Sequence, residues 1–252
     1  MVTPMPANGG GVASASEPTI TYEKHDDGVA VLTLDRPGAL NAFNIQMRNE
    51  IYEVLTAVRD DDEVRGVLVQ GAGGRAFCAG ADLSEFGSTP SQAIARAVRR
   101  ERDVWGLWLS IHKPMVAAIQ GFCLGSGVEI ASVCDVRIAC GNAVFGMPEV
   151  GLGLIPAAGG TQLLPRLLGQ GRALDLLLTG YRFTAADALG YGFVSEVVSR
   201  DMLESRALDI LRNILKAPSA SLYAAKRLVS EGLDLALSEA LALERRIGKT
   251  LA

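Results

Sequence analysis

One stretch of the chain, from Lys113 to Gln162, constrains the fold and the chemistry more than any other. It holds an apolar strand (Met115–Ile119), a Gly-Ser-Gly turn, a helix of small residues that carries Glu129, a further strand, and Glu149 directly after a proline. The order of these elements predicts that two carboxylates lie near the backbone N–H groups at the start of a helix.

A helix start of this kind has a chemical use. Its first N–H groups lack partners within the helix and carry the positive end of the helix dipole. Where Leu124–Val128 enter the helix, these groups are therefore expected to stabilise a developing oxyanion. A carbonyl bound there gains an acidic α-carbon and an electrophilic β-carbon. One carboxylate can then activate water while the other delivers or removes a proton, which predicts the addition of water across a double bond.

The composition is that of a globular protein and narrows the classes of partner. The 252 residues, of which 49% are hydrophobic, suffice for one large domain or for a domain with an appendage. A formal net charge of −4 gives no basic footprint, so nucleic acid is not expected as a partner. No apolar run reaches the roughly 18 to 20 residues of a membrane helix, and no secretory signal pattern is found. A cytoplasmic protein without a membrane partner is expected.

Side chains that bind metals are few and scattered. Cys78, Cys123, Cys134 and Cys140 lie in apolar or small-residue segments without Cys-x-x-Cys spacing, and the chain has only two histidines. Buried thiols are therefore predicted in place of disulfides or zinc ligands, and no metal is expected. Neither a phosphate-binding loop nor a dinucleotide fingerprint follows a strand, which disfavours nucleotide hydrolysis and NAD.

The pattern of elements indicates an α/β fold. Residues 1–18 are rich in Gly, Ala, Ser and Pro and are predicted to be a disordered lead. Thr19–Glu23 and Val29–Asp35 are predicted to form a hairpin closed by an Asp-Asp-Gly turn. A helix over Ile45–Asp60 and a buried strand over Val64–Gln70 follow. Alternation of strands and helices is typical of the α/β class.

Five segments, in order, resemble the enoyl-CoA hydratase/isomerase (crotonase) family. One match would carry little weight, whereas five in the same order are specific. The resemblance extends from Thr19 to Ser199. The segments are DRPGALNAF (35–43), GGRAFCAGADLSEF (73–86), KPMVAAIQGFCLGSGVE (113–129), FGMPEVGLGLIPAAGGTQLLPRLLG (145–169) and TAADALGYGFVSEVV (184–198).

The resemblance implies a spiral of repeated strand-strand-helix units, which periodicity alone does not predict. It places the spiral core at 19–198 and a helical region at 199–252; from Ala173 onward the pattern is almost wholly helical. In the family this region packs trimers, often paired into hexamers, so a homotrimer or hexamer is expected. The apolar positions behind that expectation are Leu174, Leu176, Leu177, Leu178, Leu203, Leu211, Ile214 and Leu215.

Members of the family usually continue past the helix that matches Leu237–Thr250. The missing segment often covers CoA or a neighbouring site. The resemblance therefore implies either a shortened chain or a partly lost lid.

The resemblance also implies catalytic roles. Glu129 would be the general base that holds water against the β-carbon, and Glu149 the proton donor to the α-carbon. The backbone N–H groups of Ala81 and Ser126 would form the oxyanion hole; Ser126 stands where the family usually has glycine, and its Cβ restricts φ. Without the resemblance, Glu129 is equally an ordinary acid favoured at a helix start, and Glu149 an ordinary loop carboxylate.

For CoA, the resemblance implies a loop that runs beside the adenine and the pantetheine. Positions where the family often carries a lysine near the CoA phosphates hold Gly38 and Ser84, which leaves Arg36 and Arg75 as the nearest cations. Both arginines can equally be solvated surface residues. No separate cofactor is expected, since CoA is part of the substrate. The expected substrate-binding residues are Ala79, Asp82, Leu83, Ser84 and Arg36.

A segment between the second and third matches is rich in arginine. Trp105 and Trp108, three positions apart, are typical of a core, although in the family this segment helps to wall the acyl pocket. Because acids interleave with the arginines, a solvated helix face is favoured over a phosphate or nucleic-acid contact. The cluster consists of Arg96, Arg99, Arg100 and Arg102, with Glu101 and Asp103.

Three functions remain open. The leading one is hydration of 2-enoyl-CoA thioesters, because relatives that only shift a double bond can work with one acid, whereas hydration uses both in the family pattern. The second is another crotonase-type acyl-CoA enzyme, a double-bond isomerase or a dehydratase of a polar acyl-CoA. The third is a non-catalytic protein with the same fold; the two glutamates argue against it and the short C-terminus argues for it.

Overall fold

The structure is a computed structural model that describes residues 17–85 and 102–251. The disordered lead predicted for 1–18 lies outside the described residues except for its last two. Arg96, Arg99, Arg100 and Glu101 of the arginine cluster also lie outside them.

Ten strands in the described ranges form two sheets. The larger sheet has the order β1-β2-β3-β5-β7-β10, and the smaller one has the order β4-β6-β8-β9. The outer pairs β1-β2 and β8-β9 are antiparallel, and the other neighbours are parallel. The strands are β1 (Ile20–Lys24), β2 (Val29–Leu34), β3 (Gly66–Gly71), β4 (Ala76–Cys78), β5 (Met115–Ile119), β6 (Phe122–Leu124), β7 (Val136–Cys140), β8 (Val144–Gly146), β9 (Phe183–Thr184) and β10 (Glu196–Val198).

The α-helices of the described residues surround these sheets. None of them is long and apolar enough to cross a membrane. They are α1 (Ile45–Asp60), α2 (Val104–Ser110), α3 (Ser126–Val133), α4 (Gly160–Leu168), α5 (Gln170–Thr179), α6 (Ala185–Gly190), α7 (Leu203–Ile214), α8 (Ser219–Gly232) and α9 (Leu237–Leu251).

The chain repeats a strand-strand-helix unit. β1, β2 and α1 form the first unit, β5, β6 and α3 a later one, and β7 and β8 are followed by α4. From β3 to β8 each consecutive pair of strands places one strand in the larger sheet and one in the smaller sheet. The α/β spiral expected from the sequence is therefore confirmed.

The central strands of the larger sheet, β2, β3, β5 and β7, are buried on both faces. Ala30 and Leu32 of β2 point into the main core, while Val29 and Val31 belong to a second core covered by α7. Strands with two buried faces lack the alternation of polar and apolar residues, which explains why β2 is an almost continuous apolar run.

Several predicted elements agree closely with the structure, and others do not. The hairpin, α1 and β5 lie where the sequence placed them. The prediction of an almost wholly helical chain from Ala173 onward is wrong at β9 and β10. The three-residue strands β4, β6 and β8 were not predicted from the sequence, since three residues are too few to show a period.

The apolar residues from which self-association was predicted differ in burial. Five of the eight are buried within the chain itself, so they cannot require a partner. Leu174 and Leu178 on α5 remain exposed, and Ile214 is half-buried. The buried five are Leu176, Leu177, Leu203, Leu211 and Leu215.

Candidate active site

Two adjacent strands of the smaller sheet bring two turns together. β4 and β6 are parallel, with Ala76 opposite Phe122 and Cys78 opposite Cys123. Parallel strands end at the same edge of a sheet, so the residues after β4 and those after β6 become neighbours. The first turn holds Ala79–Ala81, and the second holds Gly125 and Ser126.

Glycines permit the close approach of these turns. A Cβ at Gly127 would collide with the carbonyl oxygen of Cys78, and a Cβ at Gly125 would lie 2.6 Å from Oε1 of Glu149. Gly125 also has a φ of 48°, in the left-handed region that favours glycine. Ser126, between them, begins α3 and does not have a positive φ. Its Cβ therefore causes no backbone strain.

Two backbone N–H groups at these turns have no hydrogen-bond acceptor within the described residues. Ser126 is the first residue of α3, where an N–H has no helical partner. Ala81 forms an isolated bridge with Phe43 in which Phe43 donates to Gly80 O and Asp82 donates to Phe43 O. The N–H of Ala81 takes no part in that bridge. Both predicted oxyanion donors are thus available.

Glu129 lies in the first turn of α3 but is anchored to another helix start. Its Oε1 accepts hydrogen bonds from the N–H groups of Ala158 and Gly160, both at 2.9 Å. The residue is only 2% exposed. The sequence did not predict that Ala158 and Gly160 contact Glu129. The Gly-Gly pair that opens α4 was the only available signal, because a peptide N–H leaves no mark on the side-chain pattern.

The environment of Glu129 opposes its ionisation. Burial raises the pKa of its carboxyl above the ordinary value, and the negative charge of nearby Glu149 raises it further. The N–H groups of Gly160 and Ala158 lower it in part. A raised pKa brings a carboxyl closer to neutral pH, where it exchanges protons most effectively.

Glu149 begins a short 3₁₀ turn, Glu149–Leu152, directly after Pro148. Its Oε1 faces Gly125, while Oε2 is buried and has no hydrogen-bond partner among the described residues. Burial raises the pKa of this carboxyl as well. An unpartnered buried carboxyl oxygen is costly in a protein, and it marks Glu149 as a group that is free to bind something else.

The predicted CoA loop borders these turns. Ala79 follows β4 directly, Leu83 is 59% exposed, and Ser84 donates through N–H and Oγ to Oδ1 of Asp82 at 3.1 Å and 2.6 Å. Asp82 also forms an ion pair with Arg36. The expected substrate-binding residues therefore lie in one neighbourhood. Arg75, in contrast, precedes β4 and lies at the opposite end of that strand.

The two tryptophans on α2 differ. Trp108 is buried in the core, as predicted, and its Nε1–H donates to Sδ of Met115 at 3.1 Å. Trp105 is half-buried, with its ring centroid 5.8 Å from that of Phe43 and 6.2 Å from that of Trp108. Because Phe43 bridges Ala81, Trp105 is the tryptophan closer to the two turns.

Two further observations concern other kinds of site. Within residues 17–85 and 102–251, no group of three or more His, Cys, Asp or Glu side chains is arranged to hold a metal ion. A cavity of about 270 Å³ lies elsewhere, at the start of α7, and none of the candidate active-site residues lines it. Its lining includes Thr33, Gln70, Gln120, Arg200 and Glu204.

Comparisons with known proteins identify the family of the chain and its fold. A sequence model for the family described as "Enoyl-CoA hydratase/isomerase" matches residues 24–251. The probable enoyl-CoA hydratase echA8 of Mycobacterium bovis is 38% identical over 233 residues, 90% of this chain and 89% of its own. The short-chain-enoyl-CoA hydratase of Clostridium acetobutylicum is 39% identical over 216 residues, 86% and 83% of the two chains. A crystal structure of an enoyl-CoA hydratase from Bacillus anthracis has a TM-score of 0.86 at 35% identity, covering 92% of this chain and 90% of that one.

Proposed function

Because the chain belongs to the enoyl-CoA hydratase/isomerase family, which is a family of enzymes, we propose that it hydrates 2-enoyl-CoA thioesters. Water would add across the 2,3 double bond. The observation that carries the proposal is the meeting of buried Glu129 and half-buried Glu149, whose Oε2 is buried without a partner, with two backbone N–H groups that have no acceptor among the described residues. A protein that only kept the fold would have no need to withdraw carboxyl oxygens from water in this way.

The thioester carbonyl would accept hydrogen bonds from the N–H groups of Ala81 and Ser126. Both donors are held by backbone geometry before the substrate arrives, so they need no reorganisation as negative charge develops on the oxygen. Ser126 adds the positive end of the α3 dipole. Polarisation of the carbonyl makes the β-carbon electrophilic and stabilises the enolate that forms when water attacks.

The two glutamates would divide the proton transfers. Glu129, with one oxygen fixed by Ala158 and Gly160, accepts a proton from the attacking water. The oxygen of that water forms the bond to the β-carbon. Glu149, whose pKa is raised above the ordinary value by burial, donates a proton to the α-carbon. Exchange with solvent then returns Glu129 to the ionised form and Glu149 to the acid.

The CoA part of the substrate would lie along Ala79, Leu83 and Ser84. Exposed Leu83 offers an apolar contact to the pantetheine. The relative from Clostridium acetobutylicum is named for short-chain substrates. Together with half-buried Trp105 beside Phe43, this favours a short acyl chain.

Self-association belongs to the same proposal. Leu174 and Leu178 on α5, and Val229, Leu233 and Leu237 at the α8–α9 corner, expose their side chains in the single chain. Exposed apolar groups in number are typical of interfaces. A homotrimer or a hexamer would cover them, and sedimentation or light scattering tests this; a monomer at micromolar concentration would contradict it.

The cytoplasmic location stays a prediction.

The proposed activity is tested with a series of 2-enoyl-CoA thioesters from short to long, monitored by loss of the conjugated absorbance. The double variant Glu129→Gln/Glu149→Gln, purified identically, is the control for contaminating hydratase. Hydration of the shorter thioesters by the wild type only is the expected result. A 3-enoyl-CoA thioester is assayed in the same way, and a gain of conjugated absorbance without hydration of any 2-enoyl-CoA would favour the isomerase alternative. No turnover of any thioester would favour a non-catalytic role.

A further inference from the structure

The loop that carries Ala81 is held by one neighbouring segment, residues 36–43, here named the clasp. Three backbone hydrogen bonds join them: Ala79 N–H to Leu40 O at 3.1 Å, Phe43 N–H to Gly80 O at 2.8 Å, and Asp82 N–H to Phe43 O at 2.9 Å. These bonds flank Ala81 on both sides. The position of the Ala81 N–H is therefore tied to that of the clasp.

An ion pair joins the two segments as well. Nη1 of Arg36 lies 3.0 Å from Oδ2 of Asp82, and their side chains are only 22% and 16% exposed. The same nitrogen donates to Ala42 O at 2.6 Å. The hydroxyl of Ser84 and the guanidinium of Arg36 hold the pKa of the Asp82 carboxyl below its ordinary value. The pair is thus charged at neutral pH, and it spans the clasp and the loop.

Asn41 keeps the clasp in shape. It is fully buried, and its φ of 55° lies in the left-handed region. Its Nδ2 donates to Ala72 O at 3.0 Å and Ala76 O at 2.9 Å, while Oδ1 accepts from the N–H of Arg36 at 2.9 Å. Every polar atom of this amide is satisfied by backbone. Asn41 therefore fixes the place from which the Arg36 side chain reaches the loop.

We propose that Arg36 is a positioning residue, which through Asp82 and Ala42 holds the loop so that the Ala81 N–H faces the thioester carbonyl. The proposal rests on the proposed function. The guanidinium is already engaged with a carboxylate and a carbonyl. Both contacts use Nη1, and moving the guanidinium to a CoA phosphate would weaken its pairing with a carboxylate whose side chain is only 16% exposed, which is unfavourable. A phosphate contact by Arg36 is the rival outcome of the test.

The test compares two substrates, crotonyl-CoA and crotonyl-pantetheine, the second of which lacks the nucleotide and its phosphates. The variants are Arg36→Gln, Arg36→Lys, Asp82→Asn and the double Arg36→Gln/Asp82→Asn. Arg36→Lys keeps the charge but loses the planar fork. Arg206→Gln, which breaks an ion pair between Arg206 on α7 and Glu196 on β10, is the matched control.

If Arg36 positions the loop, Arg36→Gln and Asp82→Asn each lower kcat by ~10- to 100-fold, because a misplacement of about 1 Å can cost that much. The loss is the same for both thioesters, KM changes little, and the double variant loses no more than the larger single loss. Arg206→Gln behaves as wild type. If Arg36 instead binds phosphate, KM rises for crotonyl-CoA only and Asp82→Asn has no effect, which would overturn the proposal.

A second readout separates this proposal from the proposed function. The absorbance of a bound aromatic enoyl-CoA moves to longer wavelength when its carbonyl is polarised, whether or not the thioester is hydrated. The positioning role is supported if wild type and Arg206→Gln show the absorbance shift and folded Arg36→Gln or Arg36→Lys does not. This result would hold even if hydration is absent. Wild-type hydration with an unchanged shift and kcat in both Arg36 variants overturns the positioning role and leaves the proposed function intact.

Discussion

The start of α3 and the 3₁₀ turn at Glu149–Leu152 present the same side chain in opposite ways. Glu129 on α3 is almost completely buried, and two N–H groups hold one of its oxygens. Glu149 on the turn is half-buried, and its Oε2 has no partner among the described residues. The difference teaches that anchoring and availability are separate properties. An anchored carboxylate suits the placing of water, and an unpartnered one suits the transfer of a proton.

The largest expected effect comes from removing either acid. Glu129→Gln and Glu149→Gln should each lower kcat for crotonyl-CoA by at least ~100-fold, because positioned acid-base groups contribute about that much. Steady-state hydration assays on folded variants measure the loss. A variant that turned over near the wild-type rate would remove that glutamate from the proposed mechanism.

A smaller effect should follow from disturbing only the anchor of Glu129, that is, the hydrogen bonds from Ala158 and Gly160 to its Oε1. A Cβ at Gly160 would lie 3.1 Å from Oε1 of Glu129, 2.7 Å from Cβ of Pro156 and 2.8 Å from Cε of Met147. Gly160→Ala should therefore displace Glu129 and lower kcat by ~10-fold, with about 1 to 3 kcal/mol of lost stability from overpacking.

The matched control for the anchor is Gly151→Ala in the turn of Glu149. A Cβ at Gly151 meets nothing within 4 Å, so this variant should retain wild-type turnover and stability. Equal losses in the two alanine variants would show that the anchor of Glu129 is not special.

The pH dependence should distinguish the two acids. The kcat/KM profile is expected to be bell-shaped, with both limbs above the ordinary glutamate pKa of about 4.3, because burial raises the pKa of both carboxyls. The limbs belong to the coupled pair. In the residual activity, Glu129→Gln should lose the acid limb and Glu149→Gln the alkaline limb. The reverse pattern would exchange the roles of base and acid.

The smallest effect is on stability. A carboxyl with a raised pKa binds more protons folded than unfolded between its two pKa values, so stability falls as pH rises through that window. Glu129→Gln removes this loss and should raise Tm at neutral pH, by about 2 to 4 °C for each kcal/mol regained. The gain should vanish at pH ~4 and be smaller for Glu149→Gln, which is less buried. Thermal unfolding at both pH values measures it; a loss of Tm in Glu129→Gln at neutral pH would contradict the expectation.

Long elements with a clear apolar pattern were predictable from the sequence. The hairpin of β1 and β2, the helix α1 and the strand β5 have enough residues for their period to show. The three-residue strands β4, β6 and β8 do not. These short strands nevertheless decide where the site forms, because β4 and β6 bring the Ala81 and Ser126 turns together.

By itself, the sequence determined the chemical groups: two glutamates, the glycines that let two turns approach, and the order of segments that resembles one enzyme family. Only the tertiary structure decided what each group contacts, including that Oε2 of Glu149 has no partner among the described residues. The hydrogen bonds of Glu129 to Ala158 and Gly160 and the ion pair of Arg36 with Asp82 join segments far apart in the chain. The contacts of Glu129 use backbone N–H groups, which nearly every residue has, so no pattern of side chains in the sequence can predict them.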